Sequence, residues 1–187
     1  MNQLGVHIES YLGLPKNEAE LFASYFKPVT LQKGDYFLKA NQYCKQLAFV
    51  QSGSLREFLY VNDKEVTKWI SNKGYFAVDL SSFLFNQPSS VNWQAIDTTE
   101  LFVISKTDFD KIETIVPNWQ EVKTILIAKC FAILENRVIS HLAMSAEERY
   151  NQFFELNPKL FNEVPLQYIA SILGMTPETL SRIRKRI

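Results

Sequence analysis

The stretch from Pro165 to Ile187 leaves few folds open to it, because it writes out two short helices and the turn between them. Ile169, Ala170 and Leu173 recur at the spacing of one helix face, which predicts a helix over 166–173. Gly174 follows, a residue able to take the positive φ that closes a helix. Thr176 is then a good N-cap, Pro177 suits the first helical position, and Glu178 favours the positive end of the helix dipole. Met175, Leu180 and Ile183 are expected inward, which leaves Thr179, Ser181, Arg182, Arg184, Lys185 and Arg186 outward. A basic terminal helix by itself is commonly a solvated end. The Gly turn, the Thr-Pro-Glu start and the outward hydroxyls and arginines together match the helix-turn-helix design for the DNA major groove.

Charge supports that placement. The whole chain has net charge zero, which argues against a general polyanion binder. Residues 165–187 carry four basic residues against one acid, so +3, and the remainder carries −3. A small basic module on a mildly acidic body suits a protein that meets DNA at one end. The apolar fraction of 47% is enough for a real core. Cys44 and Cys130 stand far apart with no CxxC and read as small buried residues. His7 and His141 are the only histidines, so no metal-binding motif is expected. The N-terminus lacks a basic segment followed by an apolar run, and no stretch suits a membrane span, which makes a cytoplasmic protein without membrane partners the expectation.

Upstream, Leu4, Ile8, Leu12, Leu21, Phe22, Tyr25 and Phe26 predict helices broken at Gly13-Leu14-Pro15 and ended at Lys27-Pro28. From 29 to 105 the pattern changes to short β-rich runs separated by Gly34-Asp35, Gly53-Ser54, Asn62-Asp63 and Gly74-Tyr75. The runs 55–61 and 66–70 flank Asn62-Asp63 as a hairpin. Such strands predict an antiparallel sandwich or barrel. Residues 79–90 break the rhythm with a short helix and a loop, where a helix N-terminus and serine hydroxyls offer donors to an anion. A plain connecting loop is the alternative. A short helix then begins at Thr107.

The longest helical pattern runs from Asn118 to about Leu142. Trp119, Val122, Leu126, Cys130, Ile133 and Arg137 step by three or four, and further apolar residues widen the face. A helix apolar on more than one side needs two covers, its own domain and most simply the same helix of a second copy. Burial wholly inside one domain is the other solution. His141 reads as a capping or hinge residue at its end. Ser145-Ala-Glu-Glu148 is a capping box, starting a helix with Tyr150, Phe153 and Phe154 inward.

This order of parts resembles the CRP/FNR family of bacterial transcription regulators. The resemblance rests on Gly53-Ser-Leu-Arg56, on Gly74-Tyr-Phe76 before the inserted helix, and on Ile169-Ala-x-x-Leu-Gly-Met-Thr-Pro-Glu-Thr-Leu-Ser-Arg182. It implies an α+β chain: an antiparallel β-roll or jelly roll (double-stranded β-helix) as sensor over 1–116, a dimerisation helix over 117–142, and a helix-turn-helix domain over 143–187. The family usually adds a β-wing after the recognition helix, and here none or a truncated one is expected. The family pattern makes Glu178 and Arg182 base readers, with Thr176, Thr179 and Ser181 nearby. Pro177 stands where relatives carry a base-reading Arg or Ser, so the preferred sequence should differ. Arg184, Lys185 and Arg186 suit phosphates.

In the inserted cassette the family's cyclic-nucleotide binders carry Gly-Glu-Leu for the ribose and Arg-Ser for the phosphate. Here Ala77-Val78-Asp79-Leu80 and Pro88-Ser89-Ser90 stand in those places. Asp79, Leu80, Ser89 and Ser90 are therefore the candidate effector residues. Loss of the arginine forfeits the strongest charge-assisted contact, so no tight binding of cyclic AMP is expected. Either another small-molecule effector binds or side chains fill the pocket. The implied function is a homodimeric regulator with double-stranded DNA and a second copy as partners, RNA polymerase as a further family partner, and no cofactor, metal or catalytic residues. The alternatives are a small-molecule sensor whose DNA end is secondary, and an enzyme on a cupin-like barrel. The barrel region has no histidine to support the enzyme.

Overall fold

The computed structural model describes residues 3–117 and 119–186. Asn118, expected to open the long helix, and Ile187 lie outside the described residues. In chain order the elements are helices α1 (Gln3–Leu12) and α2 (Lys16–Ser24), then strands β1 (Lys27–Leu31), β2 (Tyr36–Leu38), β3 (Gln46–Ser52), β4 (Leu55–Val61), β5 (Lys64–Ser71) and β6 (Phe76–Ala77). The inserted helix α3 (Leu80–Phe85), strands β7 (Asn92–Ala95) and β8 (Thr99–Ser105), and helix α4 (Lys106–Lys111) follow. After a 3₁₀ turn come α5 (Trp119–Ala143), α6 (Ala146–Leu156), α7 (Leu160–Glu163), α8 (Leu166–Ile172) and α9 (Pro177–Arg184). The two-residue strand β6 has too little pattern of its own to be read from sequence; it exists because Ala77 and Phe76 pair with Ala48 and Phe49 of β3.

The strands form two four-stranded sheets, ordered β1-β8-β3-β6 and β2-β7-β4-β5. The recorded pairings of β1, β3, β6, β7 and β8 are antiparallel, as a Gly-punctuated chain of short strands requires. Asn62 and Asp63 both take positive φ, 49° and 60°, the conformation of a two-residue turn whose twist matches the hairpin it closes. Gly53 has φ +77°, and a Cβ there would lie 2.6 Å from the Thr98 carbonyl. Only glycine fits that corner, where Ser54 N–H donates to Asp97 Oδ1 at 2.9 Å.

Contacts group the chain into two compact units, the first running up to Glu57 and resuming over Ile70–Ala128, the second made of Phe58–Trp69 and Lys129–Ile187. These boundaries differ from the expected divisions at 116 and 142: the hairpin tip groups with the C-terminal helices. In the first unit Phe22, Phe83, Phe109 and Trp119 form an edge-to-face cluster, with Phe22 and Trp119 centroids 4.9 Å apart. Pairs of this kind add about 0.5–1.5 kcal/mol beyond the area they bury. That cluster takes up the first of the residues expected along the dimer helix. Trp119 and Val122 are buried in the core of their own unit. Leu126 lines an apolar cleft with Leu80, Phe83 and Leu84. Arg137 donates to the Lys68 carbonyl of its own chain. Cys130 is half-buried and Ile133 exposed. Ile127, Phe131, Leu134 and Val138, between 43 and 61% exposed, are spaced by four, three and four, and Ile133, Ile139 and Leu142 are exposed as well.

Candidate nucleic-acid interface

In the second unit α8 ends on a turn fixed by its own backbone. Gly174 N–H donates to the Ser171 carbonyl at 3.1 Å and Met175 N–H to the Ala170 carbonyl at 3.0 Å, the paired bonds of a Schellman motif. Gly174 carries φ +64°, and a Cβ there would sit 3.0 Å from His141 Cε1. The dihedral favours glycine, and a Cβ would also crowd the imidazole, which would have to shift by a few tenths of an ångström. His141, at the end of α5, is held below the usual histidine range by burial and then by Arg137 and Arg149, while a hydrogen bond with Ile172's backbone pulls it the other way. Arg149 donates Nε–H to the Leu173 carbonyl at 2.9 Å and Nη1–H to the Met144 carbonyl at 2.7 Å. A cation therefore covers one carbonyl at the end of α8 and one just beyond the end of α5.

The second helix starts as its residues dictate. Thr176 Oγ1 accepts from Thr179 N–H at 3.2 Å, and Pro177 occupies the first turn. Leu180 and Ile183 are buried, and each such side chain contributes about 1.5–3 kcal/mol when taken out of water. Met175, expected inward, is half-buried. With the apolar side committed, the other side is left free. Thr176, Pro177, Glu178, Ser181, Arg182, Arg184, Lys185 and Arg186 are exposed, and Thr179 is half-buried. Six of these, Pro177, Glu178, Ser181, Arg182, Lys185 and Arg186, line one open concave surface. One carboxylate there faces three cations. Glu178 lies below the ordinary glutamate range because its own backbone N–H and then the Thr176 hydroxyl hydrogen-bond it. Arg184 and Thr179 do not line that surface.

The inserted segment is built differently, and the polar atoms of Asp79 and Ser89 bond locally. Asp79 is spent as the N-cap of α3: its Oδ1 accepts from Ser81 N–H at 3.1 Å, Ser82 N–H at 3.3 Å and the Ser81 hydroxyl at 2.9 Å. Ser89 is buried, and its hydroxyl closes on Val91, lying 3.0 Å from the carbonyl and accepting the N–H at 3.1 Å. Leu80 lines the apolar cleft, and Ser90 is exposed. Of the four candidate effector residues, Asp79 and Ser89 thus have their polar atoms bonded within the segment. Short polar residues beside a helix start compete for backbone groups before any ligand does.

Some residues that matter were not legible beforehand. Arg149 looks like any arginine one turn into a surface helix, and Ser171 like any helix serine. Nothing in their spacing announces that they bond segments far away in sequence. Phe153 and Phe154, expected inward with Tyr150, are half-buried and 42% exposed respectively. Among the described residues no helix is long and apolar enough to cross a membrane, and no three His, Cys, Asp or Glu side chains gather in a metal-binding group.

Comparison with known proteins adds three findings. Residues 28–113 match the family described as Cyclic nucleotide-binding domain. No curated protein matches the chain in sequence. Solved structures do share its fold. The Catabolite Activator Protein of Thermus thermophilus aligns with TM-score 0.61 at 22% identity, covering 96% of this chain and 85% of that one. FixK2 from Bradyrhizobium japonicum gives 0.71 at 17%, over 86% and 83%. CLP of Xanthomonas campestris, described as a c-di-GMP responsive global regulator, gives 0.67 at 14%, over 92% and 91%.

Proposed function

We propose that the chain, whose residues 28–113 match the cyclic nucleotide-binding domain family, is a homodimeric DNA-binding transcription regulator with the domain layout of the CRP/FNR proteins. The observation that carries the reading is α9. It is a capped helix whose Leu180 and Ile183 are buried while Glu178, Ser181, Arg182, Lys185 and Arg186 share one exposed surface. Arg182 reads guanine through its two-donor fork, and Glu178 accepts from cytosine N4. Ser181 lies beside them, and Lys185, Arg186 and Arg184 meet phosphates. The regulators named among the solved structures support the same reading.

A second copy covers the stripe Ile127, Phe131, Leu134 and Val138. Steps of four, three and four are the spacing of a coiled-coil seam, and the pairing would place two α9 helices on half-sites about one DNA turn apart. An effector, which is not cyclic AMP in this proposal, acts by favouring one arrangement of those helices. The test is selection of bound sites from random DNA, joined to light scattering. A two-fold-symmetric site and a mass about twice 21.7 kDa are expected. Leu134→Lys should return the mass to that of one chain. A wild-type chain that stays monomeric and enriches no sequence would sink the proposal.

A further inference from the structure

Thr67 lies on β5, the terminal strand of its sheet, where main-chain groups on the outer side have no neighbouring strand. Its N–H donates instead to Ser171 Oγ of α8, at 2.8 Å. Thr67 is 1% exposed and Phe58, on the other leg of the same hairpin, is fully buried. One residue beyond Thr67, the Lys68 carbonyl accepts from the Arg137 guanidinium of α5. The hairpin over 58–69 is thus tied into the second unit at two points, on α8 and on α5. A serine at position 171 suits this contact: it is short, half-buried, and set between the buried Ala170 and Ile172.

We infer that Ser171 is a positioning residue for the recognition helix, acting through the main-chain N–H of Thr67. The inference rests on the DNA-binding reading of α9. The hairpin holds α8, and α8 holds α9 through the Schellman turn at Gly174 and the packing of the two helices. The tied arrangement leaves Pro177, Glu178, Ser181, Arg182, Lys185 and Arg186 exposed, so the proposed reading surface is open in it. Releasing the tie spreads the orientations of α9, and two helices that must meet two half-sites together lose affinity when each wanders. The strands β4 and β5 that carry this hairpin each run on into the first unit.

The experiment compares full-length wild type, Ser171→Ala, Ser171→Thr and Arg182→Ala on a DNA site selected with wild type. It measures affinity, hydrogen exchange at the Thr67 amide and thermal melting. Ser171→Ala should bind about fivefold more weakly and exchange Thr67 about tenfold faster, from loss of one hydrogen bond. Ser171→Thr, which keeps the hydroxyl, should restore both. Wild-type affinity in Ser171→Ala, unchanged exchange at Thr67, or a threonine variant that restores melting but not affinity would each overturn the inference. If wild type selects no DNA, the DNA reading falls and this inference with it. That outcome is recognisable because the selection itself then enriches no sequence, whereas a failure of this inference alone leaves a selected site that Arg182→Ala binds more weakly and Ser171→Ala binds as wild type does.

Discussion

Helices α3 and α9 begin in the same way and end with opposite uses. Each is short, each is capped by a side-chain oxygen, Asp79 in one and Thr176 in the other, and each carries hydroxyls close to that cap. In α3 the polar atoms are consumed locally. Ser81 and Ser82 bond back to Asp79, and the Ser82 hydroxyl donates to the Gln87 carbonyl at 2.6 Å. What the helix shows outward is Leu84 and Phe85, the latter 75% exposed. In α9 the cap joins Thr176 and Thr179, Glu178 bonds back to its own N–H and the Thr176 hydroxyl, the buried side is purely apolar, and Ser181, Arg182, Arg184, Lys185 and Arg186 stand exposed. Polar residues near a helix start mark a ligand site only when the backbone has not already claimed them.

The largest effect that would break this contrast is expected at Arg182. Arg182→Ala should lower DNA affinity about tenfold per half-site while leaving the melting temperature unchanged, as measured by fluorescence anisotropy and scanning calorimetry. Undiminished binding would remove Arg182 from the reading face. Asp79→Ala should do the reverse. It should cost about 1–2 kcal/mol of stability as an N-cap loss, read by chemical denaturation, and leave DNA binding within twofold. A variant that is fully stable but insensitive to effectors would restore Asp79 as a ligand residue.

Thr176→Ala should cost about 1 kcal/mol and weaken DNA binding less than Arg182→Ala does. It also carries a titration signature. Glu178 has a depressed folded-state pKa, so its favourable contribution is present above the unfolded value and is lost as pH falls through the folded one. Without the Thr176 hydroxyl that pKa should move up towards the ordinary glutamate range, which an NMR titration can follow; an unmoved Glu178 would show that the cap does not hold it. The smallest effect is expected from cyclic AMP. At 1 mM it should stabilise the chain by less than about 0.4 kcal/mol, the limit for a dissociation constant weaker than the ligand concentration. A shift of several degrees in melting would show that the inserted segment opens to a nucleotide after all.

Local grammar was the legible part. The Thr-Pro-Glu start, the Gly174 stop, the Ser145–Glu148 capping box and the Asn62-Asp63 turn each specify backbone within a few residues, and each is found as expected. Long-range choices were not legible. Periodicity along α5 identifies several apolar sides without ranking them, so Trp119 and Val122 look as available as Phe131 and Leu134. What separates them is the aromatic cluster of Phe22, Phe83 and Phe109, brought together from three places in the chain. Asp79 and Ser89 likewise keep their chemistry in the sequence, and only the fold discloses that Ser81, Ser82 and Val91 have taken it.

The uncovered stripe on α5 turns concentration into a structural variable. Four apolar side chains in a row are tolerable while a second copy is within reach and a liability once it is not. With pairing as the cover, the melting temperature should climb as the protein is concentrated, by mass action alone. Dilution would then present the chain with a choice between unfolding and sticking to whatever apolar surface is nearest.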